Sequence, residues 1–151
     1  MKAARIAAKV VAYGCGWCYC ASEYGMELIM CEGPSMRPTI AHHDLLLAEH
    51  VSVMLRNVQK GDIVICMNPT QPTKLLCKRV VALEGGTVGN KMIPRGHVWV
   101  EGDNRSNSLD SSNFGPVPYA LIRSRVILKL LPLSDSGWLS SHWFHKQPSV
   151  S

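Results

Sequence analysis

The sequence predicts a mainly β protein: a compact antiparallel, barrel-like sheet behind an N-terminal membrane-anchoring helix. Three observations carry that expectation. After Gly33, short runs rich in Val, Ile and Leu recur and stop at turn pairs such as Asn68-Pro69, Gly85-Gly86 and Gly102-Asp103. Strands punctuated in this way read as an all-β domain with antiparallel connections. Beyond the N-terminus, only 51–58 reads as a helix. The first 24 residues differ in kind: they carry Lys2, Arg5 and Lys9, no acid before Glu23, and no charge from Val10 to Ser22.

That first segment, 1–24, is expected to be a membrane anchor. Extended back across Lys9 to Ile6, it reaches the lower limit of a spanning helix, about 17 residues, with Lys9 snorkelling toward the interface. A mitochondrial transit peptide and a cleavable secretory signal are the competing readings. Its glycines and bulky aromatics leave no small-x-small cleavage site, which disfavours the signal. If the segment spans, its basic end stays on the matrix or cytoplasmic side and the rest faces the other compartment.

The core follows over 25–137. Ser35 lies between Gly33-Pro34 and Arg37-Pro38, which makes it a loop residue. Strands are expected over 45–48, after the His42-His43-Asp44 turn, over 62–67, after Lys60-Gly61, and then over 75–83 and 97–101. The last strand, 121–131, carries Arg123, Arg125 and Lys129 at alternate positions. From Ser134 the chain turns to Ser, Gly and Pro and is expected to fray, with 138–151 as a flexible tail.

Bulk properties narrow the function. The chain has 151 residues, 46% hydrophobic and 18% charged, which fits one ordinary globular domain. A net charge of +5 would tolerate nucleic acid or an anionic bilayer as a neighbour. The basic residues are scattered, however, and no RNP or zinc-finger pattern occurs, so nucleic acid is not an expected partner. The six cysteines, at 15, 18, 20, 31, 66 and 77, do not space like a secreted disulfide scaffold. Cys15 and Cys18 match C-x-x-C but lack the strand-helix context of a redox motif, and read as a lipid-facing or packed pair. Cys66 with Cys77 is a poor second pair for zinc. No metal and no cofactor is expected.

Three islands carry chemistry. Gly33-Pro34-Ser35-Met36-Arg37-Pro38-Thr39 holds a serine rigidly between prolines. Cys77-Lys78-Arg79-Val80-Val81 holds a lysine whose strand face is shared with Leu76, Val80 and Ala82. Together these are the halves of a Ser-Lys hydrolase, because burial disfavours an ammonium and can leave the amine free to act as a base. The third island, Gly102-Asp103-Asn104-Arg105-Ser106-Asn107-Ser108-Leu109-Asp110-Ser111, supplies polar groups to orient the lysine. Plainer readings exist for each island. Lys78 could snorkel from an edge strand, Ser35 could sit in an ordinary tight loop, and the third island could be an Asx-rich turn. Met36, apolar in an exposed-looking turn, points to a loop packed beside a membrane or a substrate groove. His42, His43 and His50 could nominate a Ser-His pair, but there is no G-x-S-x-G elbow and a solvated role suits them better.

In this order, the three islands resemble the type I signal peptidases, closest to the mitochondrial inner membrane branch of that family. The resemblance runs from about Gly33 to Gly137. It implies a serine endopeptidase in which Ser35 is the nucleophile, Lys78 the general base, and Ser108 the hydroxyl that positions the lysine. Asp103 and Asp110 would brace the active-site loop, with Arg79 as counter-ion, and the backbone N–H of Ser35 would hold the oxyanion. Two positions depart from the family pattern. Gly33 stands where many bacterial relatives carry a serine, and Ser112 stands where an arginine commonly follows the Asp-Ser pair.

The resemblance further implies a mitochondrial inner membrane enzyme whose catalytic domain faces the intermembrane space. Its partners would be precursor polypeptides, the lipid bilayer, and a sister protease subunit completing a heterodimer. A bacterial or endoplasmic-reticulum signal peptidase, and a membrane-anchored non-catalytic β module or partner subunit, are the alternatives.

Overall fold

The computed structural model describes residues 13–14 and 25–139. The expected N-terminal anchor and the Cys15/Cys18 pair lie outside the described residues, apart from Tyr13 and Gly14. Most of the expected flexible tail lies outside them as well. Among the described residues no helix is long and apolar enough to cross a membrane.

The chain is mainly β. Its strands are β1 (Met26–Met30), β2 (Leu45–Glu49), β3 (Ile63–Met67), β4 (Leu75–Ala82), β5 (Thr87–Val88), β6 (Lys91–Met92), β7 (His97–Glu101), β8 (Val117–Pro118), β9 (Ile122–Leu131) and β10 (Gly137–Trp138). A curled antiparallel sheet runs in the order β1-β2-β9-β3-β4-β7-β8, with β10 on β9 and β5–β6 as a separate ribbon. Among the described residues two one-turn α-helices interrupt it, α1 (Val51–Met54) and α2 (Ser111–Phe114).

The five expected strands are all present as β2, β3, β4, β7 and β9. β3 explains why apolar runs were the signal. Ile63 and Ile65 pack on one face with Met36, Ile40, Leu46 and Val126. Val64 and Cys66 pack on the other face with Val80, Val98, Val100 and Val117. A strand buried on both faces needs a continuous hydrophobic run.

Several expectations need correction. The helix expected over 51–58 ends after one turn. His50 offers no side-chain cap, the first turn has no acid, and Arg56 adopts a left-handed φ of +52°. Met36 is not an exposed turn residue. It is 1% exposed and fills the first cluster, so the Ser35 loop is folded back onto the sheet. Burying such a side chain is worth about 1.5–3 kcal/mol, which pins the loop.

The basic residues of β9 do not share a face either. Leu47 pairs with Leu128 and Ala48 with Val126, so Ile127 is an extra residue that shifts the alternation. Arg123 therefore points out while Lys129 is buried. There Lys129 Nζ donates to the Thr39 carbonyl at 2.9 Å and pairs with Asp44 at 3.4 Å and with Asp135. That ion pair, a 3-10 turn over Leu133–Asp135 and the pairing of β10 with β9 order the chain through Trp138, where fraying from Ser134 was expected.

Candidate active site

Ser35 is partly buried in the loop between β1 and β2. The loop starts at Gly33, whose φ of +100° suits glycine. It is then closed by Arg37 N–H donating to the Pro34 carbonyl at 3.2 Å and Ile40 N–H to the Met36 carbonyl at 2.9 Å. The Gly33 N–H donates to His42 Nδ1 at 3.1 Å, and His50 Nδ1 meets the Arg123 carbonyl at 3.0 Å. Both rings thus serve the main chain.

Lys78 lies mid-strand on β4, opposite Val64 of β3, and is only 2% exposed. Burial lowers the pKa of its ammonium, and the nearby Asp110 charge offsets part of that shift. Nζ donates to Ser108 Oγ at 3.0 Å, and Ser108 Oγ donates to Asp110 Oδ2 at 2.6 Å. Among the described residues no hydrogen bond joins Lys78 to Ser35.

Asp110 caps α2 and is held by N–H donors rather than by a cation. Gly102 N–H reaches Oδ2 at 3.0 Å and Ser112 N–H reaches Oδ1 at 3.1 Å. Burial would raise this carboxyl, but these donors and the Ser108 hydroxyl outweigh it and hold it below the usual range. Ser112 thus meets this carboxylate through its backbone N–H and its side chain.

Arg79 pairs with Asp103 alone of the two acids, through Nε to Oδ1 at 2.8 Å and Nη2 to Oδ2 at 2.7 Å. Nη1 donates to the Gly61 carbonyl at 2.9 Å, and the Thr39 hydroxyl donates to Asp103 Oδ2 at 2.5 Å. Here too burial alone would raise the carboxyl. The Arg79 and Thr39 hydrogen bonds and the Arg79 charge bring it below its ordinary value. Asp103 thereby joins all three islands: Thr39 from the serine loop, Arg79 from β4, and its own loop after β7.

Three residues without an assigned role in the sequence reading complete the junction. Thr39 is the first. Asn104 is the second, its N–H donating to the Ser35 carbonyl at 2.9 Å and its Nδ2 to the Pro34 carbonyl at 3.1 Å. Gly102 is the third: a Cβ there would stand 2.3 Å from Ser108 Oγ and 2.5 Å from the Ser35 carbonyl oxygen. The only signal for it was a glycine at a strand end, which many turns would equally explain. Among the described residues no group of three or more His, Cys, Asp or Glu comes together to hold a metal ion.

The family model described as signal peptidase, peptidase S26, matches residues 4–92 and 86–131. The chain belongs to this family. The mitochondrial inner membrane protease subunit 1 of Mus musculus is 45% identical over 148 residues, 91% of this chain and 89% of the relative. Its Homo sapiens counterpart is 44% identical over the same 148-residue length and the same shares. The mitochondrial inner membrane protease subunit 2 of Mus musculus is 41% identical over 113 residues, 67% of this chain and 65% of the relative. This signal peptidase is thus a serine peptidase related to both subunits of the mitochondrial inner membrane protease, and the inner membrane is its location.

Proposed function

We propose that this signal peptidase cuts sorting peptides from precursors delivered to the mitochondrial intermembrane space, using Ser35 as nucleophile and neutral Lys78 as base. The observation that carries the reading is the buried Lys78 amine hydrogen-bonded to Ser108, which is itself bonded to Asp110. A structural lysine gains nothing from a desolvated amine whose pKa is lowered, whereas a general base needs one.

Substrate binding brings the scissile carbonyl over Ser35. As Oγ attacks, its proton passes to Nζ, and the Ser35 N–H stabilises the oxyanion. The lysine then protonates the leaving amine. In the second half, a water gives its proton to the same nitrogen as it attacks the acyl-enzyme, and the lysine passes that proton to Ser35 Oγ as the acyl C–O bond breaks. Ser108 and Asp110 hold Nζ in position throughout, while Asp103 and Arg79 brace the loops around it.

The 1–24 segment anchors the enzyme and the core faces the intermembrane space. The kinship to two differently named subunits supports a heterodimer with a sister subunit. The test is processing of an inner-membrane precursor by the purified protein in detergent. Ser35→Ala and Lys78→Met should abolish cleavage, and an acylating β-lactam-like probe should label Ser35 in the parent protein alone. Undiminished cleavage by either variant ends the proposal, and absence of labelling favours the non-catalytic partner instead.

A further inference from the structure

Cys31 and Cys77 take no part in the chemistry above, yet they flank it in sequence. Cys77 precedes Lys78 on β4, and Cys31 ends the approach from β1 to the Ser35 loop. Both are free thiols, and they pack together beside Ile65. Their thiols interact, and they line the same cavity of about 230 Å³, together with Ile29, Leu75 and Leu76. The third described thiol, Cys66, belongs to the opposite cluster, and burial pushes its pKa up to about 11.

We propose that Cys31 and Cys77 form a reversible disulfide whose closure slows the enzyme. The oxidant is a small disulfide of the glutathione class. One of the two thiolates attacks one of its sulfurs, forming a mixed disulfide and releasing one thiol. The other thiol, once deprotonated, attacks the protein sulfur of that mixed disulfide and releases the second. In sum, two S–H bonds break, one S–S bond forms within the protein, and the two protons and two electrons leave on the oxidant. The cavity gives the small disulfide a place to enter.

The hydrogen bond from Cys77 holds Cys31 below the ordinary thiol range, and the Lys78 charge adds to this against burial and the Asp44 and Glu32 charges. The same bond, with burial, pushes Cys77 well above that range.

Bond formation fixes the sulfurs about 2.05 Å apart and pulls the end of β1 toward β4. Ser35 and Lys78 ride on those two segments. A misplacement of about 1 Å between reacting groups costs about 100-fold in rate. The effect on rate rests on the Ser35–Lys78 reading, whereas the bond itself does not.

The experiment equilibrates the purified full chain in detergent with reduced and oxidised glutathione in varied ratio. Non-reducing peptide mapping reads the Cys31–Cys77 link, and precursor cleavage reads the rate. The linked fraction should rise with the oxidised form while the rate falls by about 10-fold or more, and dithiothreitol should reverse both. Cys31→Ala or Cys77→Ala should keep its rate in oxidant, with Cys31→Ser or Cys77→Ser as substitutes if the smaller side chain leaves an unstable core. Cys66→Ala should stay sensitive. The proposal is overturned if oxidised glutathione yields no Cys31–Cys77 peptide, if either thiol links instead to Cys15, Cys18 or Cys20, or if a fully linked protein cleaves as fast as the reduced one. A reduced protein that forms the link but never cleaves precursor would refute the slowing and the hydrolase reading while establishing the disulfide by mass alone.

Discussion

Gly102 sits against the main chain of Ser35, so close that a Cβ built on it would stand 2.5 Å from the Ser35 carbonyl oxygen. Backbone cannot yield as a flexible side-chain tip can, and the Ser108 side chain closes the other side at 2.3 Å. Gly102→Ala should therefore push the serine loop away from the loop after β7. We expect a stability loss of about 1–3 kcal/mol from overpacking and a fall of about 100-fold in kcat/KM from misplacing Ser35. Thermal unfolding and precursor cleavage read both. A variant that folds and cleaves like the parent would show that the close approach is incidental.

The lowered pKa of Lys78 fixes the direction of the pH dependence. The free amine is the active form, so kcat/KM should rise with pH through an inflection below the ordinary lysine value of about 10.4 and then level off. Stability should follow. Between the depressed folded value and about 10.4 the unfolded chain binds more protons than the folded one, so stability should climb with pH across that window. Lys78→Met removes the buried amine. It should be inactive, should melt no lower than the parent at neutral pH, and should lose that slope. An activity inflection near 10.4, or a sharply lower melting point for Lys78→Met, would contradict this.

How far the molecule could be read from its sequence depended on whether the deciding contacts were local. β3 and β4 were legible because their apolar runs report burial directly. The expectation that Lys78 shares its face with Leu76 and Val80 followed from strand alternation alone, and both pack in the cluster of its cross-strand partner Val64; Ala82, expected on that face too, packs instead with Ile93 and Trp99, beyond a register shift after Val80. β1 was missed because Met26, Leu28 and Met30 point outward at the sheet edge, so hydrophobicity there reports no core. Met36 was misjudged because a folded-back loop decides its burial, and the burial of Lys129 depends on an extra residue in β9; neither is written in neighbouring residues. Thr39 and Gly102 were likewise invisible as partners. Their roles exist only where the loop after β7 meets the loop after β1, across about 60 residues of chain.

Ser108 makes two hydrogen bonds at once, accepting from Lys78 and donating to Asp110. Ser108→Ala leaves Asp110 its N–H donors from Gly102 and Ser112, so the loop keeps its cap and the fold should survive. Lys78 instead loses its only side-chain hydrogen bond among the described residues and can swing within its site. The expected outcome is a loss of about 10- to 100-fold in kcat with KM nearly unchanged. Steady-state kinetics on a precursor peptide separates the two. A rise in KM at constant kcat would assign Ser108 to substrate binding instead.

Asp103 should matter most to stability, because its carboxylate ties Arg79 and Thr39 together across three segments. Asp103→Asn keeps the shape but removes the charge, leaving a partly buried guanidinium poorly compensated. At neutral pH we expect a loss of about 2 kcal/mol, the scale of hydrogen bonds to charged groups. The acid limb gives the sharper check. The folded pKa of Asp103 lies below its ordinary value of about 3.9, so its contribution is complete above that pH and disappears as pH falls through the folded value. Urea unfolding of parent and variant should show a constant gap from neutrality down to about pH 5 and converging curves in stronger acid. A gap that persists undiminished below both pKa values would mean that the variant lost packing rather than charge.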